Sequence, residues 1–219
     1  NSAVVSYLFK KYSFNNLKLA GDPSFPDMEI GDQIKIATRK DWPELNSILK
    51  KAMKVLPQAT FFKLENKWLN TTKKEPKTKI IALTNKEKQW IKQNKTIKVA
   101  NEMDWPPFDY NEFGKPMGLS IDYIKLLAQK LNLDIEFVNG YAWTELLKLF
   151  QEKKIDLLPA LYKNSEREVY TLYTKPYYKG KLGIFSRKDD STIISYEDLK
   201  NKKVGVQEDD GIIPVIKAQ

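Results

Sequence analysis

From Ile97 onward, short apolar runs alternate with stretches of helical period, and this alternation limits the folds open to the chain more than any other feature. Residues 97–100, 135–138 and 155–159 read as strands, and residues 120–131 and 143–150 between them read as helices. A strand–helix–strand–helix–strand order of this kind builds an α/β layer with a parallel sheet at its centre. An extended segment is expected at 178–186, and a further strand at 203–207 follows Tyr196-Glu197-Asp198-Leu199.

Before that region the pattern is less regular. Residues 3–12 place Val4, Leu8 and Tyr12 on one helical face; a short strand is expected at 17–20, then a Gly-Asp-Pro turn at 21–23, then a strand at 34–37. Asp41 is the expected N-cap of a helix with Pro43 in its first turn, where a missing N–H costs nothing. Leu45, Ile48, Leu49, Ala52, Met53 and Leu56 form its apolar stripe, and Pro57 ends it. A second helix at 59–69 aligns Phe61, Leu64 and Trp68.

Residues 70–79 are polar and almost free of apolar side chains, which makes them the expected linker. Three units result: residues 1–70, a linker at 71–83, and residues 84–219. The last opens on Thr84-Asn85-Lys86-Glu87, the spacing of a capping box, in which hydroxyl and carboxylate satisfy each other's backbone amides. Ile34-Lys35-Ile36-Ala37 with Asp41-Trp42-Pro43 nearly repeats as Ile97-Lys98-Val99-Ala100 with Asp104-Trp105-Pro106. The sequences that follow differ, so the repeat is read as a habit of strand ends and not as a duplicated unit.

Composition narrows the chemistry. Cysteine and histidine are absent, which removes thiol nucleophiles, Cys/His zinc sites, disulfides and the usual neutral-pH base. No cofactor or metal is expected. The net charge of +9 comes from lysines scattered along every segment, without the basic cluster interleaved with aromatics that marks a nucleic-acid partner. No run approaches the length of a membrane span, and the start at Asn1-Ser2 lacks a signal peptide and an initiator Met, so the sequence reads as an excerpt.

The run from Ile97 to Tyr110, followed by Gly114-Lys115-Pro116-Met117-Gly118-Leu119-Ser120-Ile121-Asp122, resembles the opening of family 3 solute-binding proteins, the periplasmic receptors typified by amino-acid receptors. Trp143 with Leu146-Leu147, Lys154-Ile155-Asp156-Leu157, Asn164 with Arg167, Thr174 with Pro176-Tyr177-Tyr178, and Tyr196 to Val206 follow in that family's order. Residues 34–69 resemble the close of such a domain, ending in Lys67-Trp68-Leu69. The resemblance implies type II periplasmic-binding-protein lobes with mixed, mainly parallel sheets flanked by helices, here as the end of one domain and the start of another. Tandem domains of this kind look like the sensory regions of membrane-bound kinases and cyclases. That implies an extracytoplasmic protein, tied to the inner membrane through parts outside this chain, whose partners are a small molecule, an adjacent solute-binding domain and a transmembrane signalling protein. A transport receptor for a permease is the alternative.

The same resemblance assigns residues. Arg167 matches the arginine that grips a ligand carboxylate, a task suited to a permanently charged planar fork; the plain alternative is a surface arginine pairing with Glu166 or Glu168. Trp105 occupies the position of a ligand-stacking aromatic, with core packing as its alternative, and Phe108 is assigned to the core. Glu102 and Asp104 are candidates to hold a ligand amine, or are simply solvated. Ala160, Tyr162 and Asn164 lie in a segment where amino-acid receptors carry Gly or small hydroxyl residues, so Tyr162 implies a different pocket. Gln207-Glu208-Asp209-Asp210-Gly211 stands where many relatives cradle an anion; its acids would repel a carboxylate, which points either to a cationic ligand or to a lobe that binds its ligand another way. Some proteins resembling this family are dehydratases of small cyclic acids or carry a peptidoglycan-cleaving domain, but nothing in the sequence sets two carboxylates across a reacting bond.

Overall fold

A computed structural model describes residues 2–14, 16–21, 33–56, 58–69, 81–180, 182–210 and 213–217. In chain order the elements are α1 (Ser2–Tyr12), β1 (Leu17–Gly21), β2 (Gln33–Arg39), α2 (Pro43–Val55), α3 (Gln58–Leu69), α4 (Asn85–Gln93) and β3 (Thr96–Ala100). They continue as β4 (Asp104–Trp105), β5 (Asp109–Glu112), β6 (Lys115–Met117), α5 (Leu119–Leu131), β7 (Asp134–Val138), α6 (Trp143–Gln151) and β8 (Leu157–Leu161). After a one-turn helix at Arg167–Val169 come β9 (Thr171–Tyr173), β10 (Tyr178–Lys179), β11 (Ile184–Arg187), a second single turn at Glu197–Leu199, and α7 (Ile213–Lys217). Pro23, Pro57 and most of the expected linker lie outside the described residues.

The main sheet has the order β10-β2-β8-β3-β7, with β9 also pairing to β2. β3 runs parallel to both β7 and β8, as the strand–helix–strand order predicts, whereas β2 is antiparallel to β8, β9 and β10. The sheet is therefore mixed, its parallel pairing confined to the three strands after Thr96. Every residue of β8 is buried, as expected of a strand covered on both faces.

Alternation along the strands divides two core layers. Ile36, Val99 and Leu157 face α2 and α5, where Leu45, Ile48, Leu49, Tyr123 and Leu127 fill the layer. Their neighbours Ala37, Ala100 and Leu158 face the opposite way, onto Leu146, Leu147 and Phe150 of α6. Helices on both faces of one sheet make the α/β sandwich anticipated from the alternation. The segments on either side of residues 70–80 thus share one sheet and one core.

Local chemistry explains the departures from sequence expectation. Thr84 and Glu87 do form the capping box of α4. Asp41, however, caps nothing: Arg39 donates to both of its carboxylate oxygens at 3.0 and 2.7 Å, and Trp42 takes the cap position without a side-chain bond. β8 starts two residues beyond the predicted strand, although the Asp156 amide donates to the Lys98 carbonyl at 2.9 Å and its carboxylate accepts from the Lys98 amide at 2.9 Å and from Arg39 at 3.2 Å. The expected 178–186 strand is split into β10 and β11. Residues 203–207 form no strand; they are exposed, and among the described residues no strand pairs with them.

Candidate functional site

The C-terminal ends of β3 and β8 point toward the same edge of the sheet, and the loops that leave them build a cavity there. Ends of parallel strands are the usual place for such clefts, because the connections diverge around them. Glu102, Trp105, Trp143, Ala160, Leu161, Tyr162, Arg167, Gln207 and Asp210 line it. Its volume is about 40 Å³, room for a few water molecules.

One wall is aromatic. Trp105 ends the two-residue strand β4, whose alternation turns Asp104 outward and Trp105 inward. Its ring lies 5.7 Å from Tyr162, edge to face, and 5.4 Å from Phe108, which is fully buried. The loop bearing Trp105 is held over the start of α5 by two short amide bonds, Leu119 N to the Pro107 carbonyl and Ser120 N to the Phe108 carbonyl, both 2.8 Å. Gly118, at φ +119°, permits this approach: a Cβ there would sit 2.2 Å from the Phe108 oxygen.

Arg167 forms a second wall and is only 5% exposed. Asn164 accepts from the Arg167 amide at 2.9 Å, fixing the turn that carries it. The guanidinium donates to the Tyr162 carbonyl at 3.2 Å and the Asp209 carbonyl at 2.6 Å, and sits 5.6 Å from the centre of the Trp143 ring. The surface alternative is thus excluded. Glu168 instead pairs with Lys163 at 2.8 Å.

Glu102 faces the cavity from the end of β3, 6% exposed, and accepts from the Gln207 amide at 3.0 Å. Burial pushes its carboxyl up to about 7; the Gln207 bond opposes this, while Asp210 and Asp104 reinforce it. Beneath it, Asp109 is buried, accepting from Asn101 at 2.7 Å and from the Glu102 amide at 3.2 Å. Burial and the nearby Glu102 raise its carboxyl well above the usual range.

Of the residues expected at the site, Glu102, Trp105, Ala160, Tyr162 and Arg167 meet in one cavity. Asp104 is exposed and stays outside the lining, acting on Glu102 only through its charge. Asn164 serves Arg167 from behind, on a neighbouring open surface groove. Trp143, Leu161, Gln207 and Asp210 complete the lining, and sequence reasoning left them out. Trp143 heads a motif of the sequence, and residues 207–211 are acidic; what the sequence lacks is the distance between them. The 207–210 segment supplies a donor to Glu102 and an acceptor to Arg167, the two functions a ligand with a cationic and an anionic end would provide.

The family model of bacterial extracellular solute-binding proteins, family 3, matches residues 97–214. The virulence sensor protein BvgS of Bordetella pertussis is 26% identical over 140 residues, which cover 62% of this chain and 11% of the sensor. The arginine-binding extracellular protein ArtP of Bacillus subtilis is 33% identical over 114 residues, 52% of this chain and 44% of that protein. Among solved structures, an ancestral arginine-binding protein bound to arginine aligns with a TM-score of 0.48 at 30% identity, covering 57% of this chain and 55% of that one. The chain therefore spans a small part of the sensor and less than half of the curated binding protein.

Proposed function

Because the chain belongs to the bacterial extracellular solute-binding proteins of family 3, we propose that its cavity captures a small amino-acid-like solute with a cationic side chain. The observation that carries this reading is the placement of Arg167 and Glu102 on one small cavity beside Trp105. A guanidinium fork suits a carboxylate, a buried carboxylate suits an ammonium or guanidinium, and an indole face covers the stem between them. Asp210 adds to the negative side. The relative with the word arginine in its name supports the same chemistry.

The role we propose is that of a sensory module in a membrane signalling protein, anchored outside the cytoplasmic membrane through parts beyond this chain. Supporting it, the alignment to the sensor reaches further along the chain, 62% against 52% for the free-standing binding protein. The second reading, a binding component of an amino-acid transporter, draws on the higher identity to ArtP. Catalysis is not part of the proposal: Glu102 and Asp104 do not converge on one space, and the named relatives are a sensor and binding proteins.

Titration calorimetry on the chain with L-arginine, L-lysine and L-glutamate tests the ligand class. Binding of the cationic amino acids without L-glutamate is the expected result. Heat from L-glutamate alone, or from none of the three, removes the cationic-ligand reading.

A further inference from the structure

We propose that the groove bounded by α2, α3, α5 and residues 175–177 is a second binding site, one that takes a small carboxylate carried on an apolar body. The site goes beyond the amino-acid reading of the Arg167 cavity, with which it shares no lining residue.

The groove has a volume of about 370 Å³, inside the range of roughly 300–1,000 Å³ usual for small-molecule sites. Much of its lining is apolar. Met53 comes from the last turn of α2, Leu56 follows that helix, and Phe61 comes from α3. Phe61 meets Tyr123 at 5.2 Å and Tyr177 at 6.1 Å, both edge to face, and the two tyrosine rings lie 4.9 Å apart. Each ring is thus held by two others, which gives an apolar ligand a fixed surface to cover.

Three cations surround this surface. Lys50, Lys54 and Lys175 all line the groove, and none of their ammonium groups has a partner among the described residues. Other lysines of the same helices are paired, Lys51 with Glu87 and Lys67 with Asp122, both at 2.6 Å. Lys50 and Lys54 stand four residues apart on α2, a spacing at which like charges repel. The carbonyl end of α2 favours Lys54, but it does nothing for Lys50 one turn earlier or for Lys175 on another segment. Glu65 is the one acid of the lining, set against three cations.

Exposed lysines alone would be an ordinary solvated face. What sets this groove apart is Tyr123, which lines it and is only 4% exposed, yet whose hydroxyl makes no hydrogen bond to any described residue. A buried hydroxyl left without a partner is unfavourable, and buried polar groups are seldom left so. The neighbouring Tyr177 shows no such deficit, its hydroxyl reaching Ser120 Oγ at 2.7 Å and the Pro159 carbonyl at 3.1 Å. A carboxylate in the groove would accept from Tyr123 and neutralise the lysines, while its apolar body covers Phe61 and Met53.

Titration calorimetry on the full chain tests this with hydrocinnamate, beside hydrocinnamyl alcohol, which lacks the charge, and acetate, which lacks the body. Hydrocinnamate is expected to bind several-fold more tightly than either. Lys50→Gln with Lys54→Gln should weaken hydrocinnamate several-fold and leave L-arginine binding as it was. Tyr123→Phe should weaken hydrocinnamate too, without lowering the melting temperature of the ligand-free chain, since its hydroxyl has no partner to lose. No heat from hydrocinnamate, equal affinity for the alcohol, or full binding in the double lysine variant overturns the proposal. A Tyr123→Phe chain that melts lower or fails to fold would give the hydroxyl a partner inside the fold, and that too overturns it.

Discussion

Glu102 carries a carboxyl whose protonation lies within reach of ordinary conditions, because burial outweighs the Gln207 bond and Asp210 and Asp104 add repulsion, placing it at about 7. A cationic ligand binds the ionised form, so L-arginine affinity is expected to fall by up to about tenfold per pH unit below that value. Calorimetry from about pH 5 to about pH 8 reads this, and Glu102→Gln should bind more weakly with a flat profile. A wild-type profile as flat as that of Glu102→Gln would separate Glu102 from the ligand. Most of this cavity was legible in the sequence, since Trp105 and Arg167 sit in motifs whose order is specific. Asp104 was not separable from Glu102 by sequence alone, because two acids in a short loop look alike until strand alternation turns one outward. Gln207 and Trp143 stand in segments that the sequence singles out, but their place in the cavity was not readable there for another reason. They join the site through contacts 105 and 66 residues apart, Gln207 to Glu102 and the Trp143 indole to the Asp209 carbonyl.

At the scale of elements, the approach of the Trp105 loop to α5 rests on a missing side chain. Gly118→Ala would place a methyl 2.2 Å from the Phe108 carbonyl at a φ of +119°. It is expected to cost at least about 2 kcal/mol in urea unfolding and to weaken ligand binding as Trp105 shifts. Gly140 is the control: its φ is +86° but nothing lies within 4 Å of the added Cβ, so Gly140→Ala should cost only about 1 kcal/mol and leave affinity unchanged. Equal losses for the two variants would show that backbone conformation, and not the close approach, governs this position. Helices and parallel strands after Thr84 were readable because their periods are strong and their caps explicit. The strand expected at 203–207 had the right residues but no neighbour, and propensity does not supply one.

For the molecule as a whole, carboxylates set opposite trends with pH. Burial pushes Glu87 up, but bonds from Lys51, Ser47 and Thr84 outweigh it and hold the carboxyl at about 2, below its ordinary 4.5. The Arg39 fork likewise depresses Asp41. Such groups contribute stability that is present above the unfolded value and lost as pH falls through the folded one. The melting temperature is therefore expected to drop between about pH 4.5 and about pH 2, and Glu87→Gln should flatten the drop; an unchanged slope would remove Glu87 as its source. Glu102 works the other way, its share being largest below 4.5 and lost as pH rises through about 7. The sequence showed the capping box but not this balance, because Lys51 lies on an earlier helix whose place depends on the sheet order. That order also bears on the time course of biosynthesis. The amide of Ile36 finds its acceptor 138 residues later, at Thr174, so the β2 strand leaves the ribosome long before β8, β9 and β10 exist to receive it. Contacts this distant form slowly, and an apolar strand waiting for its sheet is open to pairing with other chains. A newly made molecule thus passes through a vulnerable interval whose length is set by the rate of translation, and early protection by a holdase would serve it more than extra stability in the finished fold.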